Sequence, residues 1–270
     1  MKGSKIGYLG PEGTYSSIGA RELCPEGELV QYPTFFTLFS ALKCGAVDGI
    51  VLPIENSLNG AVTQNLDLLQ ETEGVYAKAI CRVKIEHRLV TLKGADKSKI
   101  THIYSHPQAL AQCAKFLAVT YPDAQLHETA STAECYKKIV LPTDAGIVGA
   151  HCGREGYELG GGSISDEENN FTQFLLVVNG QPDEDAESNR LFFSVTCYHR
   201  AGELFELLRV LKEGNVNMTK IESRPIKDRA GEFRFFIEAE GNYALPEVKA
   251  TLNRLREEAH SVKILGCYTI

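Results

Sequence analysis

No stretch of the 270 residues is rich in Lys or Arg, and the formal charge is −7, from 28 Lys+Arg against 35 Asp+Glu. Both features argue against a nucleic-acid partner. No apolar run approaches the roughly 18 residues that a membrane span requires. The start, MKGSKIGYLG, enters a strand pattern without the apolar core of a secretion signal. The expectation is therefore a cytoplasmic protein with no membrane partner. The 8 cysteines contain no CxxC, which leaves neither a zinc ribbon nor a thioredoxin-type dithiol. An even count admits disulfides, but a chain with no secretion signal is expected to be reduced. Small buried hydrophobes are the simpler reading. Cys152 follows His151 and Cys113 follows His106 by seven residues, yet neither pair carries a nucleophile motif. GK[ST] and GxGxxG are also missing, so neither a Walker loop nor a dinucleotide fingerprint is signalled. No repeat or low-complexity tract occurs.

What is present is an ordinary globular composition, 43% hydrophobic and 23% charged, at a length that suggests two domains. Residues 181–189 read QPDEDAESN, with four acids and no large apolar side chain, and mark a linker. Before it, strand and helix patterns alternate. Strands are expected at Lys5–Leu9, Gly49–Ile54, Lys78–Leu92 (one or two), Ile103–Ser105, Ala145–Ala150 and Phe174–Val178. Helices are expected at Ser16–Leu23, Phe35–Cys44, Asn65–Glu71, Pro107–Val119 and Thr132–Leu141. Repeated βα units predict an α/β domain of two lobes, residues 1–180, with the second lobe at roughly 80–170 and a cleft between them. After the linker, residues 190–270 follow the order βαββαβ of a ferredoxin-like sandwich.

Several loops at strand ends concentrate small polar residues. In GPEGTYSS (Gly10–Ser17), Thr14, Ser16 and Ser17 enter a helix N-terminus. Such a loop suits a carboxylate or phosphate, and equally a plain capped helix. VLPIENSLNG ends a strand on Glu55, Asn56 and Ser57. YSHPQALAQC places Ser105, His106 and Gln108 before a helix, where a lone histidine more readily caps or positions a loop than acts as a base. STAEC (Ser131–Cys135) and NNFTQF (Asn169–Phe174) complete the set.

Taken in order, GPEGTYS, VLPIENS, SHPQALAQC, STAE and NFTQF resemble the signatures of the prephenate dehydratases. The C-terminal unit, with RAGELFELL (Arg200–Leu208) and KIESRP (Lys220–Pro225), resembles the ACT regulatory domain of that family. The resemblance implies a periplasmic-binding-protein-like catalytic domain joined to a ferredoxin-like ACT domain. It implies decarboxylative dehydration of prephenate to phenylpyruvate in phenylalanine synthesis, with no cofactor and no metal. Thr172 would be the donor to the departing hydroxyl. Thr14, Ser16, Asn56, Ser57, Ser105, Gln108, Ser131, Thr132, Gln173 and Phe174 would line the substrate pocket. Gly202, Glu203, Leu204, Glu222, Ser223, Arg224 and Pro225 would take L-phenylalanine as effector. A monofunctional chain and a homodimer or homotetramer are implied as well.

Two departures from the family pattern stand out. Gln173 occupies the position of an arginine, for which Arg88 or Lys84 is a conceivable substitute cation. Glu203 occupies the position of an alanine in the family's Pro-Gly-Ala-Leu. These keep open a weakly catalytic or non-catalytic amino-acid sensor; an arogenate dehydratase, whose substrate has an amine where prephenate has a ketone, is a further alternative that no sequence feature separates.

Overall fold

The computed structural model describes residues 3–182, 188–226, 229 and 231–270. The chain opens with β1 (Lys5–Leu9), α1 (Tyr15–Leu23), β2 (Glu28–Tyr32), α2 (Phe35–Lys43), β3 (Gly49–Asn56), β4 (Gly60–Ala61), α3 (Thr63–Glu71) and β5 (Val75–Lys84). Next come β6 (His87–Leu92), β7 (His102–Ser105), α4 (Pro107–Ala111), α5 (Ala114–Thr120), β8 (Gln125–Glu128), β9 (Asp144–Gly149) and β10 (Tyr157–Leu159). The last elements are β11 (Phe171–Asn179), β12 (Arg190–Thr196), α6 (Glu203–Glu213), β13 (Met218–Pro225), β14 (Phe233–Glu240), α7 (Pro246–Glu258) and β15 (Ser261–Tyr268). No helix among the described residues is long and apolar enough to cross a membrane.

The chain divides into two compact units. One comprises residues 1–9, 19–82 and 173–270; the other comprises 10–18 and 83–172. In the first unit a single sheet runs β13-β14-β12-β15-β5-β11-β3-β1-β2, with β4 paired to β3. Ile6 and Tyr8 on β1 and Ile50, Val51 and Leu52 on β3 are all buried, as central strands covered on both faces must be. Helix α2 starts at a reciprocal cap, in which Thr34 Oγ1 accepts from Thr37 N (3.1 Å) and Thr37 Oγ1 from Thr34 N (3.3 Å). Its Leu38, Phe39 and Leu42 join Leu66 and Leu69 of α3 in one core. The C-terminal strands lie in the order β13-β14-β12-β15, which is the ferredoxin-like arrangement expected from βαββαβ. Their helices pack through Leu207, Val210 and Leu211 on α6 and Val248, Leu252 and Leu255 on α7.

That sandwich is continuous with the rest of its sheet at one parallel pairing, Gly266 on β15 with Ala77 on β5. A Cβ at position 266 would lie 2.6 Å from both Ala77 Cβ and Ala77 O. Only glycine lets the two backbones come this close. The second unit is built on a sheet ordered β10-β6-β9-β7-β8, with Leu89, Ile103, Leu117, Ala145 and Ile147 in its core.

Some expected elements differ. The helix expected at Pro107–Val119 is two short helices, because Gln112 N closes α4 on Gln108 O and Cys113 opens α5. The helix expected at Thr132–Leu141 is a single 3-10 stretch, Thr132–Lys137. It stops because the Asp144 carboxylate accepts from Val140 N (3.0 Å) and Leu141 N (2.8 Å), turning the chain toward β9. Lys78–Leu92 holds two strands, β5 and β6. The segment Gly10–Ile18 belongs with residues 83–172, an assignment that local pattern does not carry. Of the expected linker 181–189, residues 183–187 lie outside the described residues.

Gly266→Val tests the junction. A side chain driven against backbone cannot be accommodated by a rotamer change, so a loss of roughly 1–3 kcal/mol is expected. A melting temperature unchanged from wild type would show that β15 does not depend on this approach.

Candidate active site

The polar loops divide between the two units, and each set is described within its own. In residues 10–18 and 83–172, the Gly10–Ser17 loop turns at Gly13, whose φ is +84°. Gly13 N donates to Ser17 Oγ (3.1 Å), Ser17 Oγ donates to Thr14 O (2.7 Å), and Ser17 N donates to Thr14 O (3.0 Å). Ser17 thus serves the loop itself, while Ser16 is 8% exposed. The Tyr15 hydroxyl donates to Glu86 O (2.8 Å), which ties the loop to the chain just before β6.

Ser105, expected at the substrate, is fully buried at the end of β7, and its Oγ donates to Ile147 O on β9 (2.7 Å). Its hydroxyl therefore holds two strands in register. His106 caps α4 by accepting from Gln108 N at Nδ1 (3.2 Å), and Gln108 is exposed. Ser131 Oγ accepts from Glu134 N (3.2 Å), and the Glu134 carboxylate accepts from Ala130 N (3.1 Å), so Ser131 caps this turn and Glu134 ties it to the preceding residue, with Thr132 at its start. Thr172 is the second residue of β11 and is partly exposed.

In the other unit, Asn56 ends β3 and its Oδ1 accepts from Leu58 N (3.1 Å), Asn59 N (3.1 Å) and Asn59 Nδ2 (2.9 Å). This Asx turn sets the path of the chain through Ser57. Side chains alternate along a strand, so Gln173 points to the face opposite that of Thr172 and Phe174. Phe174 is 1% exposed, and a Cβ on Gly19 would stand 2.7 Å from its ring. The ring expected to line the pocket is a core residue, because the bare backbone of Gly19 makes room for it. The Gln173 amide, turned so that its oxygen meets donors, accepts from Arg82 Nε (3.2 Å) and Nη2 (3.3 Å).

The cation beside position 173 is Arg82, on β5. Arg88 donates to Gly160 O (3.4 Å) and Lys84 pairs with Glu86 (3.1 Å). Among the described residues no carboxylate lies within ion-pair distance of Arg82.

The C-terminal motif strand β13 also alternates. Lys220, Glu222 and Arg224 lie on the more covered face, and Ile221, Ser223 and Pro225 on the exposed one. Lys220 pairs with Glu55 (3.0 Å), the neighbour of Asn56. Arg224 makes a two-pronged contact with Asp67 on α3, Nη2 at 2.7 Å and Nε at 3.4 Å. That hydrogen bond raises the arginine's already high pKa. Glu203 faces Arg200 at 3.8 Å.

Sequence reasoning missed Arg82, Asp67 and Glu55 as partners. Each lies far along the chain from the residue it meets, and no local pattern marks it. Cys113 and Cys135 fit the reading of small buried hydrophobes. Both are fully buried, and burial pushes their thiols up to about 12.

A family model described as prephenate dehydratase matches residues 6–182. The bifunctional chorismate mutase/prephenate dehydratase of Neisseria gonorrhoeae is 34% identical over 269 residues, covering 97% of this chain and 74% of that protein. A prephenate dehydratase of Amycolatopsis methanolica is 32% identical over 273 residues, covering 98% of this chain and 88% of that one. Among solved structures, prephenate dehydratase in complex with L-Phe from Arthrobacter aurescens matches with a TM-score of 0.88 and 26% identity, covering 98% of this chain and 90% of that one.

Two outcomes are expected. With a disulfide reagent near pH 8, exposed Cys44 should react within minutes, whereas Cys113 and Cys135 should stay unmodified until the protein unfolds. A thiol with a pKa near 12 is only ~10⁻⁴ thiolate there. Rapid labelling of either buried thiol, mapped by peptide mass spectrometry, would contradict their burial. Gln173→Arg should lower the melting temperature, since it sets two guanidinium groups against each other at hydrogen-bond range. Adding Arg82→Gln should restore it. A rise in the single variant would show that position 173 still prefers a cation.

Proposed function

The chain belongs to the prephenate dehydratase family, and from that premise we propose that it converts prephenate to phenylpyruvate under the control of phenylalanine. The observation that carries the reading is the family match across residues 6–182, with curated relatives aligned over nearly the whole chain. The reaction removes CO2 and water. The bond from the ring to its carboxylate breaks, its electron pair enters the ring, and the C–O bond at the opposite ring carbon breaks. One proton turns the departing hydroxide into water. Aromatisation supplies the driving force, so the protein's task is to hold a dianion and stabilise charge on the leaving oxygen.

Thr172 is the proposed donor to that oxygen. A threonine hydroxyl does not titrate near neutrality, so it acts as a preorganised hydrogen-bond donor and solvent supplies the proton. Hydroxyl and amide groups at Thr14, Ser16, Gln108, Ser131 and Thr132, all within residues 10–18 and 83–172, are the proposed surroundings of the substrate carboxylates. Gln173 acts on the strand beside Thr172, as the partner of Arg82.

Regulation by phenylalanine is supported by the L-Phe complex of the Arthrobacter aurescens protein and by the order of the C-terminal strands. Glu203 and Glu222 are the groups suited to an effector's ammonium, and backbone amides near Gly202 and Leu204 to its carboxylate. Lys220 and Arg224 lie on the same strand as Glu222 and hold Glu55 and Asp67. A shift of β13 on effector binding would reach the Asn56–Ser57 turn through the first of these pairs. β13 is the outermost strand of its sheet, and pairing with a second copy there, as a dimer or tetramer, would cover its edge. We place the enzyme in the cytoplasm, with neither nucleic acid nor membrane as partner.

The test is phenylpyruvate formation from prephenate, with and without phenylalanine and with arogenate in parallel. Thr172→Val should lose about 10²–10³ in kcat, and Thr172→Ser far less. Folded wild-type protein without turnover of prephenate would overturn the reading, and a fully active Thr172→Val would remove Thr172 from it. In Lys220→Ala, which breaks the pair with Glu55, the phenylalanine response should weaken while binding of phenylalanine persists.

A further inference from the structure

The Gly10–Ser17 loop is held at one atom by two side chains that no motif contains. Gly13 O lies 3.0 Å from His151 Nε2 and 3.1 Å from Cys152 Sγ. A carbonyl can only accept, so the His151 tautomer carries its proton on Nε2 and the Cys152 thiol donates as well. All of these residues belong to the same compact unit.

The seat for the histidine is built. Its ring lies over Gly149, where a Cβ would collide with the imidazole. The Tyr15 ring meets it edge-on with centroids 5.1 Å apart, and the Tyr15 hydroxyl is anchored on Glu86 O at 2.8 Å. The backbone at Cys152 is held too, since its N donates to Gly149 O (2.9 Å) and its carbonyl accepts from the Tyr136 hydroxyl. Partial desolvation lowers the His151 pKa, which favours the neutral ring without removing the Nε2 proton.

The consequence follows from peptide geometry. In a trans peptide the C=O and the next N–H point in opposite directions. Two donors gripping Gly13 O therefore fix the Gly13–Thr14 plane and aim Thr14 N–H away from His151 and Cys152. Gly13 sits at φ +84°, where a flexible glycine would otherwise let that plane turn.

We propose that His151 and Cys152 are positioning residues for the substrate loop, setting the orientation of the Gly13–Thr14 peptide and the hydroxyls that follow it. This rests on the reading of Gly10–Ser17 as part of the prephenate site. The groups they position hold the substrate equally in ground and transition states, so their loss is expected in KM with little change in kcat.

The experiment compares His151→Leu, Cys152→Ala and the double variant with His151→Gln and Cys152→Ser. Gln presents an N–H where Nε2 stood, and Ser presents an O–H where the thiol stood. KM for prephenate should rise about 2- to 10-fold in each single variant and more than about tenfold in the double. The Gln and Ser variants should remain within about twofold of wild type. A wild-type KM in the double variant overturns the proposal, and so does a Gln or Ser variant as impaired as Leu or Ala, which would make the role one of packing. Amide hydrogen exchange across residues 10–17 gives a reading that does not need turnover. Exchange at Thr14 should speed up about tenfold in the double variant. Unchanged exchange overturns the proposal whether or not the wild type acts on prephenate, whereas an inactive wild type with faster exchange in the double variant would count against the prephenate reading alone.

Discussion

One backbone contact organises everything that links the C-terminal sandwich to the strands and helices it adjoins. At Gly266 and Ala77 two strands run side by side with no room for a further side chain. Because they do, β15 extends a sheet that already holds β5, β11 and β3. The side chains of the sandwich then reach α3. Lys263 places its ammonium on Gln70 O (2.6 Å) and Thr72 O (3.0 Å), among the last carbonyls of that helix, where a cation is favoured. Burial there lowers its pKa, with Glu73 opposing that shift. Arg224 takes Asp67 from the same helix. These are half-buried charges meeting partners at close range, a setting in which screening is weaker than on the open surface.

The loops expected to hold substrate share a different economy. Their hydroxyls and amides are largely spent on holding backbone: Ser17 on Thr14, Ser105 on Ile147, Ser131 on Glu134, Asn56 on residues 58 and 59. Such internal bonds make the backbone stiff before any ligand arrives, which is what electrostatic stabilisation of a transition state requires. A residue type suited to binding is thus also suited to building the loop that binds, and the two roles separate only when distances are known.

The two departures from the family pattern acquire physical meaning in the same way. A neutral amide at position 173 is not a simple loss of charge, because Arg82 on the neighbouring strand points its guanidinium at that amide. Glu203 is not an unpaired acid near the expected effector site, because Arg200 stands beside it at 3.8 Å. Both partners are ordinary exposed arginines in the sequence. They become relevant only through strand pairing and through the turn that opens α6.

Periodicity and punctuation determined much of this protein by themselves. The apolar spacing of α2, α6 and α7, the buried runs of β1 and β3 and the βαββαβ order of the last eighty residues are local properties of the chain, and they were legible as such. So was the family, since its motifs are short, ordered and spaced along residues 6–182. Tertiary structure alone decided the rest. It broke the helix at Cys113, shortened the one after Ser131 through Asp144, and sent Phe174 into the core against Gly19. It also brought His151 and Cys152 to Gly13, more than 130 residues away in the chain. The physical reason is common to all of these. A helix, a strand or a cap is specified by neighbours a few residues apart, whereas a donor finds its acceptor, and a glycine its intruding ring, only after the sheets have set the distances between remote segments.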